Sequence, residues 1–279
     1  WLPGTRTPTL QLPAIQLFGS LRLDNPLNLD LPLLHLRSTE RDNTLLFADQ
    51  EMEEVRFEGS GSWMIQDPLT ADLLTHLRGE LNTDGQPITI ERYQALGEPA
   101  KTLALSNSRL TVSGDGSERP SWNVLQATLT VDPGTSLLEL THPSAYLRTD
   151  LAGGSAAYHR ILFSSGDGTA TIEGGGAVID VDSLRFVGNG RILGDHRFGV
   201  LDFTVGRSYR FEAGATQTIS RAWNLRGNPC AVISLFSTQP GNRATVQSDN
   251  AVINADYVRI QDQQAVGSAT FNAGRNSSN

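Results

Sequence analysis

The chain has 279 residues and a formal charge of −8, with 38% hydrophobic residues, 19% charged residues, 27 glycines and a single lysine, Lys101. Both the apolar and the charged share fall below the roughly 45–50% and 25% usual for globular domains, and Gly, Ser, Thr, Asn and Leu carry the sequence, which favours short strands and turns over amphipathic helices. The negative balance opposes nucleic acid and anionic membranes, the lone Cys230 excludes an internal disulfide or thiolate zinc cage, and no apolar run reaches the roughly 20 residues of a membrane-spanning helix. The N-terminus lacks a basic-then-apolar signal pattern, so an export signal is expected upstream of Trp1.

In chain order, residues 1–49 hold much of the proline and read as strands spaced by Pro and Asn turns, a capping region. Alternating apolar triplets follow at Val55–Phe57, Trp63–Ile65, Ile88–Ile90, Leu103–Leu105, Leu110–Val112, Trp122–Val124, Leu129–Val131 and Leu137–Leu140. Others come at Ile161–Phe163, Ala170–Ile172, Ile179–Val181, Leu184–Phe186, Leu201–Val205, Tyr209–Phe211, Trp223–Leu225, Val232–Leu235, Ala244–Val246 and Val258–Ile260. The segment Thr70–Leu81 has leucines at helical spacing, but its Asp84-Gly85 turn signal favours strand, turn, strand. Residues 50–262 thus form a repetitive body, and residues 263–279 a Gly/Asn-rich tail leading to a following module.

Strands this short suit a sandwich, a barrel or a solenoid. The stretches "VRFEGSGSWMI" (Val55 to Ile65), "LRFVGNGRIL" (Leu184 to Leu193) and "ILFSSGDGTATI" (Ile161 to Ile172) share an apolar-x-Phe, a small polar stretch with Gly, and a second strand, each reading as one corner of a coil. A unit of about 20–25 residues is that of a β-solenoid. The fold class expected from the residues is therefore all-β, a β-solenoid of short strands, with a β-sandwich as the alternative.

The stretch "FEGSGSWMIQDPLTADLLTHLRGELNTDGQPITI" (Phe57 to Ile90), "LDFTVGRSYRFEAGATQTI" (Leu201 to Ile219) and the closing "DYVRIQDQQAVGSATFNAGRNSSN" resemble repetitive segments of giant secreted surface proteins of flavobacterial type (Bacteroidota). That resemblance implies a right-handed parallel β-helix of short strands, an exported, adhesin-like or stalk module at the cell surface, part of a longer polypeptide exported by the type IX secretion system. Extracellular glycans and secretion-complex components are the partners it implies, with no nucleic acid and no membrane insertion.

Catalysis finds little support in the residues. A polysaccharide-cleaving β-helix needs two or three converging carboxylates. Asp180 and Asp182 are spaced to share one side of a strand with Val181 pointing inward, and Arg185 lies nearby; the expectation is solvated acids on an outer face. His35, His76, His142, His159 and His196 are scattered, with no metal-site spacing, and read as surface or turn residues; Cys230 reads as a buried structural thiol. Asp115 and Asp167 sit in Asp-Gly turns that shape the chain without the nonapeptide repeat of a calcium solenoid, and Trp63, Trp122 and Trp223 are expected to point inward rather than to stack on sugars. No catalytic, cofactor or metal residue is assigned. The expected function is a non-catalytic structural or adhesive module, and the alternative is a polysaccharide-binding or polysaccharide-degrading β-helix.

Overall fold

A short strand with one apolar side cannot bury that side alone; it needs further strands around it and another layer above and below. The chain meets this need by stacking coils. A computed structural model describes residues 9–23, 28–249, 253–272, 274 and 276–278, which hold no helix and wind into a parallel β-solenoid of about 11 turns.

Three columns of parallel strands give each coil three faces. Face I runs from Ile15–Leu17 and Leu34–Leu36 through residues 55–57, 73–76, 92–95 and 122–125 to Asn189–Leu193, Ser208–Phe211, Ile233–Ser237 and Val258–Gln261. Face II includes Asn43–Leu46, Ser62–Ile65, Gly79–Asn82 and Lys101–Ala104, and ends with Ala244–Gln247 and Gln263–Val266. Face III includes Arg109–Val112, Leu137–Leu140 and the later halves of Ala157–Phe163, Ile179–Phe186 and His196–Phe203. Every strand read from the sequence is present, and Thr70–Leu81 falls in two strands, Leu69–His76 and Gly79–Asn82.

From Glu51 to Arg226 the coils turn corners within long strands, and the corner so turned moves along the stack. Glu51–Phe57, Leu69–His76 and Ile88–Leu96 pass from face III to face I. Trp122–Asp132 and Tyr146–Ser155 pass from I to II, while Ala157–Phe163, Ile179–Phe186, His196–Phe203 and Thr216–Arg226 pass from II to III. The three similar sequence stretches therefore occupy different corners: Val55–Ile65 turns from I to II, the other two from III to I. Their likeness reflects the chemistry of any tight corner, not one repeated position.

The pairing also extends beyond the boundaries drawn from composition. Residues from Ile15 onward already stack beneath the body, and residues 1–8 lie outside the described part. At the other end, Gln263–Val266 and Phe271–Asn272 add strands to faces II and III, and Ser278 bridges to Arg259 on face I. Glycine and asparagine set the turns there, while the backbone carries the ladder onward.

Parallel register places like upon like. Leu34, Val55, Leu74, Tyr93, Trp122 and Leu147 form one inward file on face I, all at most 3% exposed. On face III, Phe163 stacks on Phe186 at 4.8 Å and an interplanar angle of 6°, and Phe203 packs flat against Tyr209 at 3.7 Å. The three tryptophans named above are buried as expected. Offset aromatic stacks of this kind add to the area term that dominates core energetics.

Two of the histidines correct the surface reading: His76 and His196 are buried. They belong to a set of buried polar donors that serve the corner between faces I and II, where the turning backbone leaves carbonyls without strand partners. His76 Nε2 donates to Gly79 O (3.2 Å), His196 Nε2 to Leu193 O (2.8 Å), and Gln217 Nε2 to Gly194 O (2.8 Å). Lys101 Nζ donates to Gly97 O (2.9 Å) and Pro99 O (2.6 Å), and Asn43 Nδ2 to Glu40 O (2.7 Å). Because a carbonyl can only accept, Nε2 carries the proton in both histidines, and Nδ1 of His76 accepts from the Tyr93 hydroxyl (3.2 Å). Burial lowers the His76 pKa from 6.5 to about 4 and lowers that of His196 as well.

An unfolded His76 binds a proton below about pH 6.5, and the folded one only below about 4. Stability is therefore full above pH 6.5 and falls as pH drops toward 4, by up to about 3 kcal/mol. Denaturant midpoints measured across that range should fall in the native chain, and the fall should be smaller in His76→Gln; an equal fall in both would reject the assignment.

Candidate functional site

A surface groove of about 590 Å³ opens on face II and runs over several coils to the corner with face III. It exists because small residues stand where the surface would otherwise be filled. Ala157 is the register partner of Asp180, Gly134 forms the turn on one side, and Gly199 occupies the corner. The rim carries His159, Asp180, Asp182, Arg197, Ser220 and Arg221.

The alternation read from the sequence places the two nominated acids as expected. Asp180 is exposed, Val181 is buried beneath it, and Asp182 reaches the corner, so both aspartates line the groove. Arg185 does not join them: its Nε faces Asp202 on face III at 3.5 Å. Each groove acid faces a basic side chain. Arg197 Nη1 lies 3.7 Å from Asp180 Oδ1, and His159 Nδ1 lies 3.5 Å from Asp182 Oδ2. Arg221 donates to both the carboxylate and the backbone carbonyl of Asp182, the latter at 2.7 Å.

Arg221 lies two coils along the stack from Asp182, and its side chain crosses Gly199 of the coil between. A Cβ at Gly199 would sit 2.5 Å from both Arg221 Nη2 and the Asp182 carbonyl. The glycine is thus the channel through which the clasp passes. Paired with cations in this way, the two carboxylates tie coils together and give the groove a floor of alternating charge, with Thr218 and Ser220 as added polar groups. That lining suits hydrogen bonding to a hydroxylated ligand. Sequence reading missed Arg197 and Arg221 because register, not proximity in sequence, brings them to the acids; Gly199, a glycine inside an apolar strand pattern, was the available signal.

Elsewhere the remaining candidates resolve into structure. Asp115 accepts from the Ser117 amide (2.9 Å) and hydroxyl (2.8 Å), which lowers its pKa, and Ser165 Oγ accepts from the Asp167 amide, so both aspartates sit in ordinary side-chain-stabilised turns. Among the described residues, no group of three or more His, Cys, Asp or Glu could hold a metal ion. Cys230 is exposed, contrary to the buried thiol expected, because residues 228–231 close a tight loop in which its amide donates to Asn228 Oδ1 at 3.0 Å and its side chain faces outward. His35 joins Glu58 and Arg37 in an ionic cluster on face I. No family model matches the chain, and neither a curated protein nor a solved structure matches it.

The clasp predicts an inverted ranking of two substitutions. Arg221→Ala removes a half-exposed ion pair and should cost under about 1 kcal/mol. Gly199→Ala drives a methyl against a backbone carbonyl and should cost about 1–3 kcal/mol, read from denaturant midpoints. An Arg221→Ala cost above that of Gly199→Ala would show that the ion pair, not the channel, sets the local geometry.

Proposed function

We propose that the chain is a non-catalytic structural and adhesive module, a stiff segment of a large exported cell-surface protein of the kind its sequence resembles, including export by the type IX route. One observation carries this reading. The face I column runs unbroken from Ile15 to Gln261 around a continuous apolar core. About 11 coils at a strand spacing of roughly 4.8 Å give a rod of about 50 Å, long enough to hold a binding region away from a surface. The clasp at Asp182 ties such a rod together across coils.

A second reading, a polysaccharide-binding or polysaccharide-degrading β-helix, is favoured by the face II groove, where Asp180, Asp182 and His159 come together. The two readings part on turnover. Incubation of the purified chain with pectin, alginate and cell-wall polysaccharides should release no reducing sugar, while a glycan array should show retention of the chain. Sugar release that disappears in an Asp180→Asn/Asp182→Asn variant would make the chain an enzyme.

A further inference from the structure

The outer surface of face I changes character along the rod. In the early coils it carries Glu54 and Glu58, bound to Arg37, Arg56 and His35. In the later coils the register brings Arg191 directly opposite Arg210 on the neighbouring strand. Two guanidinium groups on strands about 4.8 Å apart repel, and neighbouring like charges cost stability. Neither has an ion pair or hydrogen bond among the described residues, and Glu173, the nearby carboxylate on the same face, is taken by the Tyr146 hydroxyl. Both arginines are exposed.

Around them lies a concavity of about 380 Å³ lined by Thr169, Asn189, Gly190, Arg191, Ser208, Arg210 and Thr238. No carboxylate lines it, although the chain as a whole has 30 acidic residues against 22 basic ones. Its floor is the main chain at Gly190, whose inward place is filled by the Phe186 ring, 2.9 Å from where a Cβ would stand. The Asn189 amide and carbonyl are already committed, to Gly168 O (3.0 Å) and the Ser208 amide (2.9 Å), which holds the wall on that side. Farther along the same face, Arg259 stands over the Phe236 ring at 5.6 Å.

We infer that this concavity is an oxyanion site, with Arg191 and Arg210 as a paired clamp and the hydroxyls of Thr169, Ser208 and Thr238 as secondary donors, and that it takes the carboxylate or sulfate groups of an acidic polysaccharide. Planar guanidinium forks match both oxyanions. The two arginines are exposed on the outer face of the stacked coils, a placement that suits an extended polymer lying across that face. The net charge of −8 opposes a nucleic acid duplex, with a charge every ~1.7 Å, whereas a polysaccharide bears its charges sparsely. The inference rests on the adhesive reading above and names the ligand that adhesion would use.

The test measures binding of the purified chain to polygalacturonate, dextran sulfate, uncharged dextran, inorganic sulfate and a DNA duplex. Native chain is compared with Arg191→Gln/Arg210→Gln and with Arg160→Gln/Arg243→Gln, a charge-matched control away from the concavity. One or both acidic polysaccharides should bind and weaken at least about tenfold in the first variant, but not in the control. Without ligand, the first variant should unfold at the same or a higher temperature, since it relieves repulsion, so a loss of binding will not be a loss of fold. Glycan binding that both variants retain would leave the adhesive reading standing and remove this site. Absence of any glycan binding would remove both. Inorganic sulfate bound as tightly as the polymers, or DNA bound more tightly with the same dependence on Arg191 and Arg210, would overturn the polysaccharide assignment.

Discussion

Everything in this molecule follows from the hydrogen-bond register between successive coils. Parallel strands bonded at about 4.8 Å force each residue to sit on its counterpart in the coil before, so the identity of one position constrains the next. Inward, that constraint is favourable: leucine, valine and the aromatic rings pile into files such as Leu34 to Leu147 and Phe163 to Phe203. Outward, the same rule sets charges in ladders, and the chain must either pair them, as Asp180 with Arg197, or leave them facing one another, as Arg191 and Arg210.

The constraint also explains which features were legible in the sequence. Strand positions were, because alternation over three residues is a local property; the burial of Val181 between Asp180 and Asp182 follows from that pattern alone. Corner positions were not. A corner is defined by where the chain sits on the perimeter, and Val55–Ile65 and Leu184–Leu193 read alike while turning different corners. Burial of His76 was illegible for a related reason. Its file contains Leu36 and Phe57 before it and Ala95 after it, and only the register reveals that a histidine completes a column of apolar side chains.

The polar interior is equally a product of geometry. Short strands produce many corners, where turning backbone leaves carbonyls outside the strand ladder that need donors from elsewhere. The chain places a buried donor beside them at the I–II corner, using histidine, lysine, glutamine and asparagine interchangeably. What these side chains share is reach and an N–H group. That chemical tolerance hides the motif from any search for a fixed residue pattern.

The Arg221 clasp alters the cooperativity of the stack. In an array where each coil touches only its neighbours, stability is a sum of adjacent terms, and coils can fray one at a time from an end. Arg221 reaches over the coil containing Gly199 to Asp182, and Asp182 in turn faces His159 one coil farther on. Four coils are thus linked, three of them by a contact that skips a layer, so opening one of these strains the others. In amide exchange this stretch would behave as a single block, dividing the rod into a unit that opens together and flanking coils that open independently.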